Sequence, residues 1–193
     1  MINPLRPVIA CVLALVFSNS IHAAAAPFEL PTAFKAEAEM QMMGQKLTAT
    51  IICGSDNKQR VEIASMGMVN IVRKDTKKVY VLMTAQKQIM EMPFDPAMAQ
   101  GSIGFAHDQD STWENLGQET VREIACDKWK VTSAKGETMT CWVKPSDHTP
   151  VRISGKDESV VDFISFTAGK QDEALFEPPT GWTTVAMPGM GER

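Results

Sequence analysis

Residues 34–53 read FKAEAEMQMMGQKLTATIIC, and this stretch decides the fold class. Apolar and polar residues alternate along its first half, which is the period-two pattern of a strand with one buried face. Gly44-Gln45 interrupts the alternation, which resumes at Leu47. The stretch therefore predicts two antiparallel strands joined by a tight turn, with their apolar side chains on one face.

Similar short segments continue along the chain on both sides of an irregular middle. Further strands are predicted at 58–64, 68–74, 79–83, 88–92, 119–122, 128–133, 137–144, 150–155 and 159–167. Residues 93–110 contain Pro and Gly and indicate a loop with one helical piece at 96–100. Ser111 is expected to cap a short helix through Leu116, and one helical turn is expected at 172–176.

The predicted strands expose one long apolar face that something must cover. A sheet with one apolar face is covered by a second sheet, a helix or a ligand. The chain supplies about eleven strands and few helical residues, so a sheet that curves onto itself is the economical solution. We therefore predict a mainly β fold: a strongly curved antiparallel sheet, or unclosed half barrel, with one or two short helices as a lid.

The first residues have the order of a secretory signal peptide. Arg6 precedes an apolar run over 8–17, and the small residues Ala23–Ala26 follow. The apolar run is too short to span a bilayer, which takes about 20 residues. We expect cleavage near Ala24–Ala26 and a periplasmic location.

These boundaries divide the chain into a signal peptide at 1–26, one half-barrel domain at 27–186 and a disordered tail at 187–193. Val8-Ile9-Ala10-Cys11 resembles the box that precedes a lipidated cysteine, so a lipid-anchored form is the alternative to a soluble periplasmic protein.

Composition and motifs argue against several classes of function. The chain has 193 residues and a formal net charge of −4, which lacks the basic footprint of a nucleic-acid-binding protein. His107 and His148 are the histidines beyond the signal peptide, and no nucleophile, P-loop or metal-ligand spacing accompanies them. We expect a monomer without enzymatic activity, cofactor or metal.

Three cysteines remain once Cys11 is cleaved off with the signal peptide: Cys53, Cys126 and Cys141. In an oxidising compartment two of them are expected to pair. Cys126 and Cys141 would close a short loop and form the predicted disulfide. A turn at 135–136 would put these two out of register, so Cys53 remains an alternative partner.

Methionine is unusually frequent, with 13 residues, many at alternating positions. Methionine is flexible and polarizable, so it suits surfaces that accept variable apolar partners. Three interpretations stay open: filler of a strand core, a lining for acyl chains, and a thioether site for Cu(I), which soft sulfur ligands select.

Four stretches resemble an uncharacterised bacterial envelope family. They are IVRKDTKKVYVLMTAQKQIMEMPF, ETVREIACDKWKVTSAKGE, CWVKPSDHTPVRI and LFEPPTGW, and the resemblance spans Phe34 to Trp182. That family is grouped with the outer-membrane lipoprotein carrier and receptor proteins of the LolA/LolB type. The resemblance implies an unclosed β-barrel with helices as a lid over an apolar concavity, which in the carriers holds lipoprotein acyl chains.

We therefore expect a periplasmic binding protein that holds a lipid or lipoprotein acyl chain in an apolar trough. The alternatives are an envelope-sensing or protein-interaction module with an envelope protein partner, its trough filled by its own side chains, and methionine-based Cu(I) handling. The expected trough residues are Phe34, Met40, Met42, Leu47, Ile51, Val69, Ile71, Val81, Met83, Met90, Met92, Trp129, Val131, Ile153 and Phe163.

The predicted cleavage is testable on protein exported in its native host. Intact-mass spectrometry is expected to give a chain that begins after Ala24, Ala25 or Ala26, because the small-residue site lies there. A mass that includes Met1, or one that corresponds to a lipid-modified Cys11, would contradict it.

Overall fold

The computed structural model describes residues 27–29, 31–42, 45–55, 58–95, 111–155 and 159–186. The strands in these residues are β1 (Phe34–Met42), β2 (Gln45–Cys53), β3 (Lys58–Ile63), β4 (Met68–Arg73), β5 (Lys78–Met83), β6 (Gln88–Pro93), β7 (Thr112–Val121), β8 (Ile124–Thr132), β9 (Thr138–Val143), β10 (Pro150–Ser154), β11 (Val160–Ala168) and β12 (Thr183–Ala186). Two 3₁₀ turns lie at Ala64–Met66 and Glu173–Phe176. No helix within these ranges is long and apolar enough to cross a membrane.

The twelve strands form one sheet in the order β12-β6-β5-β4-β3-β2-β1-β11-β10-β9-β8-β7. Neighbouring strands are antiparallel, except that β12 runs parallel to β6. The sheet is curved and unclosed, with β7 and β12 at its two edges. The predicted half barrel is therefore confirmed. The predicted signal peptide (1–26), tail (187–193) and helical piece (96–100) lie outside the described residues.

The two faces of the sheet carry different hydrophobic cores. We call the face that carries Ile51 the inner face and the one that carries Ile52 the outer face, since successive side chains point to opposite sides. The inner-face core spans β1, β2 and β7–β11; its buried residues are Phe34, Ala36, Ala38, Ile51, Cys53, Trp113, Val131, Cys141, Val143, Ile153 and Phe163.

The segment before β1 fills this half of the inner face. The ring of Phe28 lies 5.4 Å from that of Trp113 and 5.8 Å from that of Trp129, both edge-on. It stacks on the imidazole of His148 at 4.3 Å. The protein's own aromatic side chains thus cover the inner face toward the β7 edge.

The outer-face core lies over β2–β6, and the segment between β11 and β12 covers it. We call residues 169–182 the C-terminal strap. Its residue Phe176 is fully buried, with Leu175 and Trp182 packed beside it. The buried strand residues beneath it are Ile52, Val69, Ile71, Leu82 and Ile89.

Two arginines of the outer face hold the strap by its backbone. Arg60 Nη1 donates to the Leu175 carbonyl at 3.0 Å, and Arg73 Nη1 donates to the Phe176 carbonyl at 3.4 Å. Arg73 also pairs with the Glu177 carboxylate. The two arginines thus give hydrogen-bond partners to strap carbonyls that packing against the sheet would otherwise leave without partners.

The 3₁₀ turn of the strap confirms the helical turn predicted at 172–176. Asp172 caps it, accepting a hydrogen bond from the Ala174 N–H at 3.0 Å. Gly54 lets the Phe176 ring approach the sheet, because a Cβ at this position would lie 2.9 Å from a ring carbon.

Two elements differ from the sequence prediction. The short helix predicted from Ser111 to Leu116 is wrong, since these residues lead into and form the first half of β7. Trp113 explains the difference: it is buried at the inner face opposite Val131 of β8, a contact that strand geometry provides. The parallel strand β12 was not predicted at all.

The predicted disulfide between Cys126 and Cys141 is also wrong, because both cysteines and Cys53 are free thiols. Cys141 pairs with Trp129 across the sheet and belongs to the inner-face core. Cys126 lies three residues before Trp129 and packs with Trp142 on the outer face. Residues three apart on a strand point to opposite faces, so Cys126 and Trp129 do so. Because Cys141 shares the face of Trp129, the sulfurs of Cys126 and Cys141 lie on opposite sides of the sheet.

Thiol titration tests this arrangement. Burial raises the pKa of Cys53 and Cys141 to about 12 and also raises that of Cys126. Because the thiolate is the reactive form, we expect negligible labelling of native residues 27–193 by Ellman's reagent at pH 8. Unfolding without reductant is expected to release three reactive thiols. A single reactive thiol after unfolding would establish a disulfide instead.

Truncation of Phe176 tests the role of the strap. Phe176→Ala is expected to lower the free energy of unfolding by about 3–5 kcal/mol, because it leaves a cavity under the strap. Ile164→Ala is the matched surface control, since Ile164 is 46% exposed, and its effect should stay within about 0.5 kcal/mol. Urea titration measures both values, and equal effects would show that the strap contributes little to stability.

Candidate functional site

The inner face of β3–β6 is mostly apolar, and its side chains are partly buried except for Gln59 and Ile63, which are buried. Register across β2–β6 gives two rows, Cys53-Gln59-Val72-Val79-Met92 and Ile51-Val61-Asn70-Val81-Met90, and pairs Met68 with Met83. We call the apolar part of this surface the methionine face; it consists of Val61, Met68, Val72, Val79, Val81, Met83, Met90 and Met92. Within the described residues, none of these side chains belongs to a hydrophobic core cluster.

The two faces of the same strands are therefore treated differently. On the outer face, Val69 and Leu82 lie in a core that the strap closes. On the inner face, Met68 and Met83 lie opposite one another outside every described core. The inner face of these strands is therefore the candidate binding surface.

Charge is confined to the other face along this half of the sheet. Within the described parts of β1–β6, the inner positions hold no Asp, Glu, Lys or Arg. The outer positions carry ion pairs, such as Lys58 Nζ to Glu173 Oε2 at 2.6 Å and Lys78 Nζ to Glu91 Oε1 at 2.7 Å.

The other half of the sheet also carries ion pairs on its outer face. Arg152 and Asp162 form a bidentate pair at 2.6 and 2.9 Å on the outer face. Lys128 donates to Glu119 at 2.8 Å and lies over the ring of Trp142. The hydrogen bond from Lys128 lowers the pKa of Glu119 below its ordinary value. These charges face away from the inner surface.

Four of the residues expected to line a trough lie on the methionine face: Val81, Met83, Met90 and Met92. Met40 and Leu47 lie on the same inner face as a directly opposed, partly buried pair of β1 and β2. Met42 ends β1, and its side chain is outside the described part. The structure thus brings the residues of β5 and β6 together as one surface.

Six other expected residues lie on the inner face but within or against its packed core: Phe34, Ile51, Trp129, Val131, Ile153 and Phe163. They are covered by each other and by Phe28. These residues form the floor of the filled half of the sheet and are ordinary core in this structure.

Val69 and Ile71 are on the opposite face, so they do not line a trough with the others. They pair with Leu82 and Tyr80 and pack beneath Phe176 in the outer-face core. Residues 68–72 read MVNIV, with apolar side chains at both parities, and alternation alone therefore could not assign the face.

The polar members of this surface were not predicted from the sequence. Gln59 and Asn70 lie at inner positions among the apolar side chains. Gln59 is only 6% exposed, and its Nε2 has no hydrogen-bond partner. The sequence did contain a signal for Gln59. It alternates with Val61 and Ile63 along β3, so the period-two pattern puts all three side chains on the same face.

Two cysteine thiols lie on the inner face. The thiols of Cys53 and Cys141 have pKa values raised to about 12 by burial, so at neutral pH they are protonated and poorly nucleophilic. Within the described ranges, no group of three or more His, Cys, Asp and Glu residues is placed to hold a metal ion.

Solved structures with the same overall arrangement include an uncharacterized conserved protein from Thermus thermophilus. It is 16% identical, with a TM-score of 0.56 over 82% of this chain and 92% of that chain. This likeness shows that the fold occurs in another protein.

Two more distant similarities were found. A LolA superfamily protein, NE2245 from Nitrosomonas europaea, is 13% identical, with a TM-score of 0.43 over 77% of this chain and 92% of that chain. The Pseudomonas aeruginosa MucA/MucB complex contains a chain that is 11% identical, with a TM-score of 0.37 over 80% of this chain and 58% of that chain. Among curated proteins, no relative matches significantly.

One sequence family matches directly. Its profile, described as a domain of unknown function, aligns with residues 31–146, which is more than half of the chain and includes β1–β9. The resemblance to an uncharacterised family that the sequence indicated is thereby confirmed, and the protein belongs to the DUF4412 family.

Proposed function

We propose that this protein is a non-enzymatic binding protein of the periplasm that holds the acyl chain of a lipid or lipoprotein against the methionine face. The observation that carries the proposal is the unequal cover of β3–β6. Their outer face lies under the strap through Phe176. Their inner face is equally apolar, uncharged and outside every described core.

The free energy available on such a surface is sufficient for binding. Burial of one methylene contributes about 0.8 kcal/mol. An acyl chain that buries roughly ten methylenes would contribute about 8 kcal/mol before the cost of association is subtracted. The protein needs no catalytic group to bind an acyl chain in this way. The thiols of Cys53 and Cys141 are protonated at neutral pH and poorly nucleophilic.

Methionine supports a ligand that varies in length and shape. Met68, Met83, Met90 and Met92 lie on three adjacent strands of this face. Their unbranched thioether side chains can repack around different chains at small cost. A rigid β-branched surface would select one shape more strongly.

The filled half of the inner face limits where the ligand lies. Phe28 already occupies the surface beside Trp113 and Trp129. The acyl chain is therefore placed over β3–β6, and its length across these strands is bounded by the packed core that begins at Ile51. The signal peptide predicted at 1–26 supports a periplasmic setting.

A charge placed on the methionine face is expected to abolish binding. Met83→Glu puts a carboxylate on the methionine face, where burying it under the acyl chain without a partner is costly. We expect at least tenfold weaker binding of the fluorescent hydrocarbon diphenylhexatriene, measured by fluorescence titration of purified residues 27–193.

Met66→Glu is the matched control, because Met66 is 53% exposed in the 3₁₀ turn before β4 and should bind the probe as the wild type does. Circular dichroism must show that both variants are folded. Failure of the wild type to bind the probe, or equal losses in the two variants, would refute the proposal.

A further inference from the structure

Gln59 has a buried donor that the protein does not use. It is the second residue of β3, lies on the inner face and is 6% exposed. Its cross-strand neighbours are Cys53 on β2 and Val72 on β4. Neither supplies a hydrogen bond to its Nε2, which has no partner.

An unpartnered buried amide is unfavourable, so its presence calls for an explanation. A leucine or methionine at this position would cover the same surface without that cost. The inner face of β3–β6 carries two more amides, Asn70 opposite Val61 and Gln88 opposite Met83, and both are only partly buried. Gln59 is therefore the most deeply buried polar side chain on the described inner face of β3–β6.

We propose that Gln59 Nε2 donates a hydrogen bond to an oxygen of the bound ligand, an inference that rests on the function proposed above. The ligand is then not a plain hydrocarbon. It carries an acceptor oxygen at the end of its acyl chain, positioned over Cys53, Gln59 and Val72.

The chemistry of the surroundings selects the kind of oxygen. The inner positions of β1–β6 hold no positive charge within the described residues. An ionised carboxylate would lose its hydration there and gain only a neutral amide donor. A neutral carbonyl has far less hydration to lose. The site therefore favours the carbonyl of an acyl ester or amide over a free fatty acid.

The register also orients the ligand. Gln59 lies at the end of the sheet where β3 begins, in the row that includes Met92. Met68 and Met83 lie at the opposite end of the same strands. The carbonyl is thus expected near the start of β3, with the chain directed toward the Met68–Met83 pair.

Displacement of diphenylhexatriene tests the inference with three competitors of equal chain length: hexadecane, palmitic acid and methyl palmitate. With the wild type we expect the ester to compete about tenfold better than the hydrocarbon, the difference that one hydrogen bond provides. We expect the ester to compete better than the acid at pH 7 as well. In Gln59→Leu, the ester and the hydrocarbon should become equal.

Gln88→Leu is the matched control, since Gln88 is a partly buried amide at an inner position of β6 opposite Met83. It should retain the preference for the ester. Gln59→Met is a second variant of the same position, with an unbranched side chain of similar length, and it should lose the preference even if Gln59→Leu does not fold.

The outcomes separate the two proposals. Binding of diphenylhexatriene with no preference for the ester, or a preference that survives both Gln59 variants, overturns this inference and leaves the proposed function standing. No binding of diphenylhexatriene to the wild type overturns both. A preference for palmitic acid over the ester would overturn the choice of a neutral carbonyl.

Discussion

Burial of Phe176 against the outer face of β2–β6 is the contact on which the organisation of this sheet depends. Strands β4–β6 carry apolar side chains on both faces, and such strands need cover on both sides. The strap supplies cover for one face only, held through backbone carbonyls by Arg60 and Arg73. Its position decides which face of these strands lies in the core that Phe176 closes.

The segments before β1 and after β11 cover different faces of the sheet. Phe28, before β1, fills the inner face near β7, whereas the strap after β11 closes the outer face near β6. One part of the sheet surface, the inner face of β3–β6, receives neither. Its side chains are apolar and the charged residues of these strands lie on the other side, a distribution that suits the contact with an uncharged chain.

The sequence predicted the parts of the fold that depend on local alternation. Strands β1–β6 follow from period-two patterns and tight turns, and the helical turn predicted at 172–176 is the 3₁₀ turn of the strap. The curved, unclosed sheet followed from the shortage of helix. These features need only neighbours along the chain, and so they are visible without a structure.

The parts that failed depend on distant partners. Alternation alone does not assign Val69 and Ile71 to a face, because residues 68–72 are apolar at both parities, and their contact with Phe176 of the strap identifies the outer face. Cys126 and Cys141 are separated by the register of β8 with β9, which the turn length alone does not settle. Strand β12 pairs with β6 from the far end of the chain, beyond the reach of any local pattern.

The central claim is that an acyl chain lies on the inner face of β3–β6. A palmitoyl ester with a diazirine near the chain end, photolysed with the protein and mapped by tandem mass spectrometry, tests it most directly. The claim predicts cross-links at Met68, Val81, Met83 and Met90. Cross-links confined to the strap, to the outer face or to the core around Phe28 would contradict it.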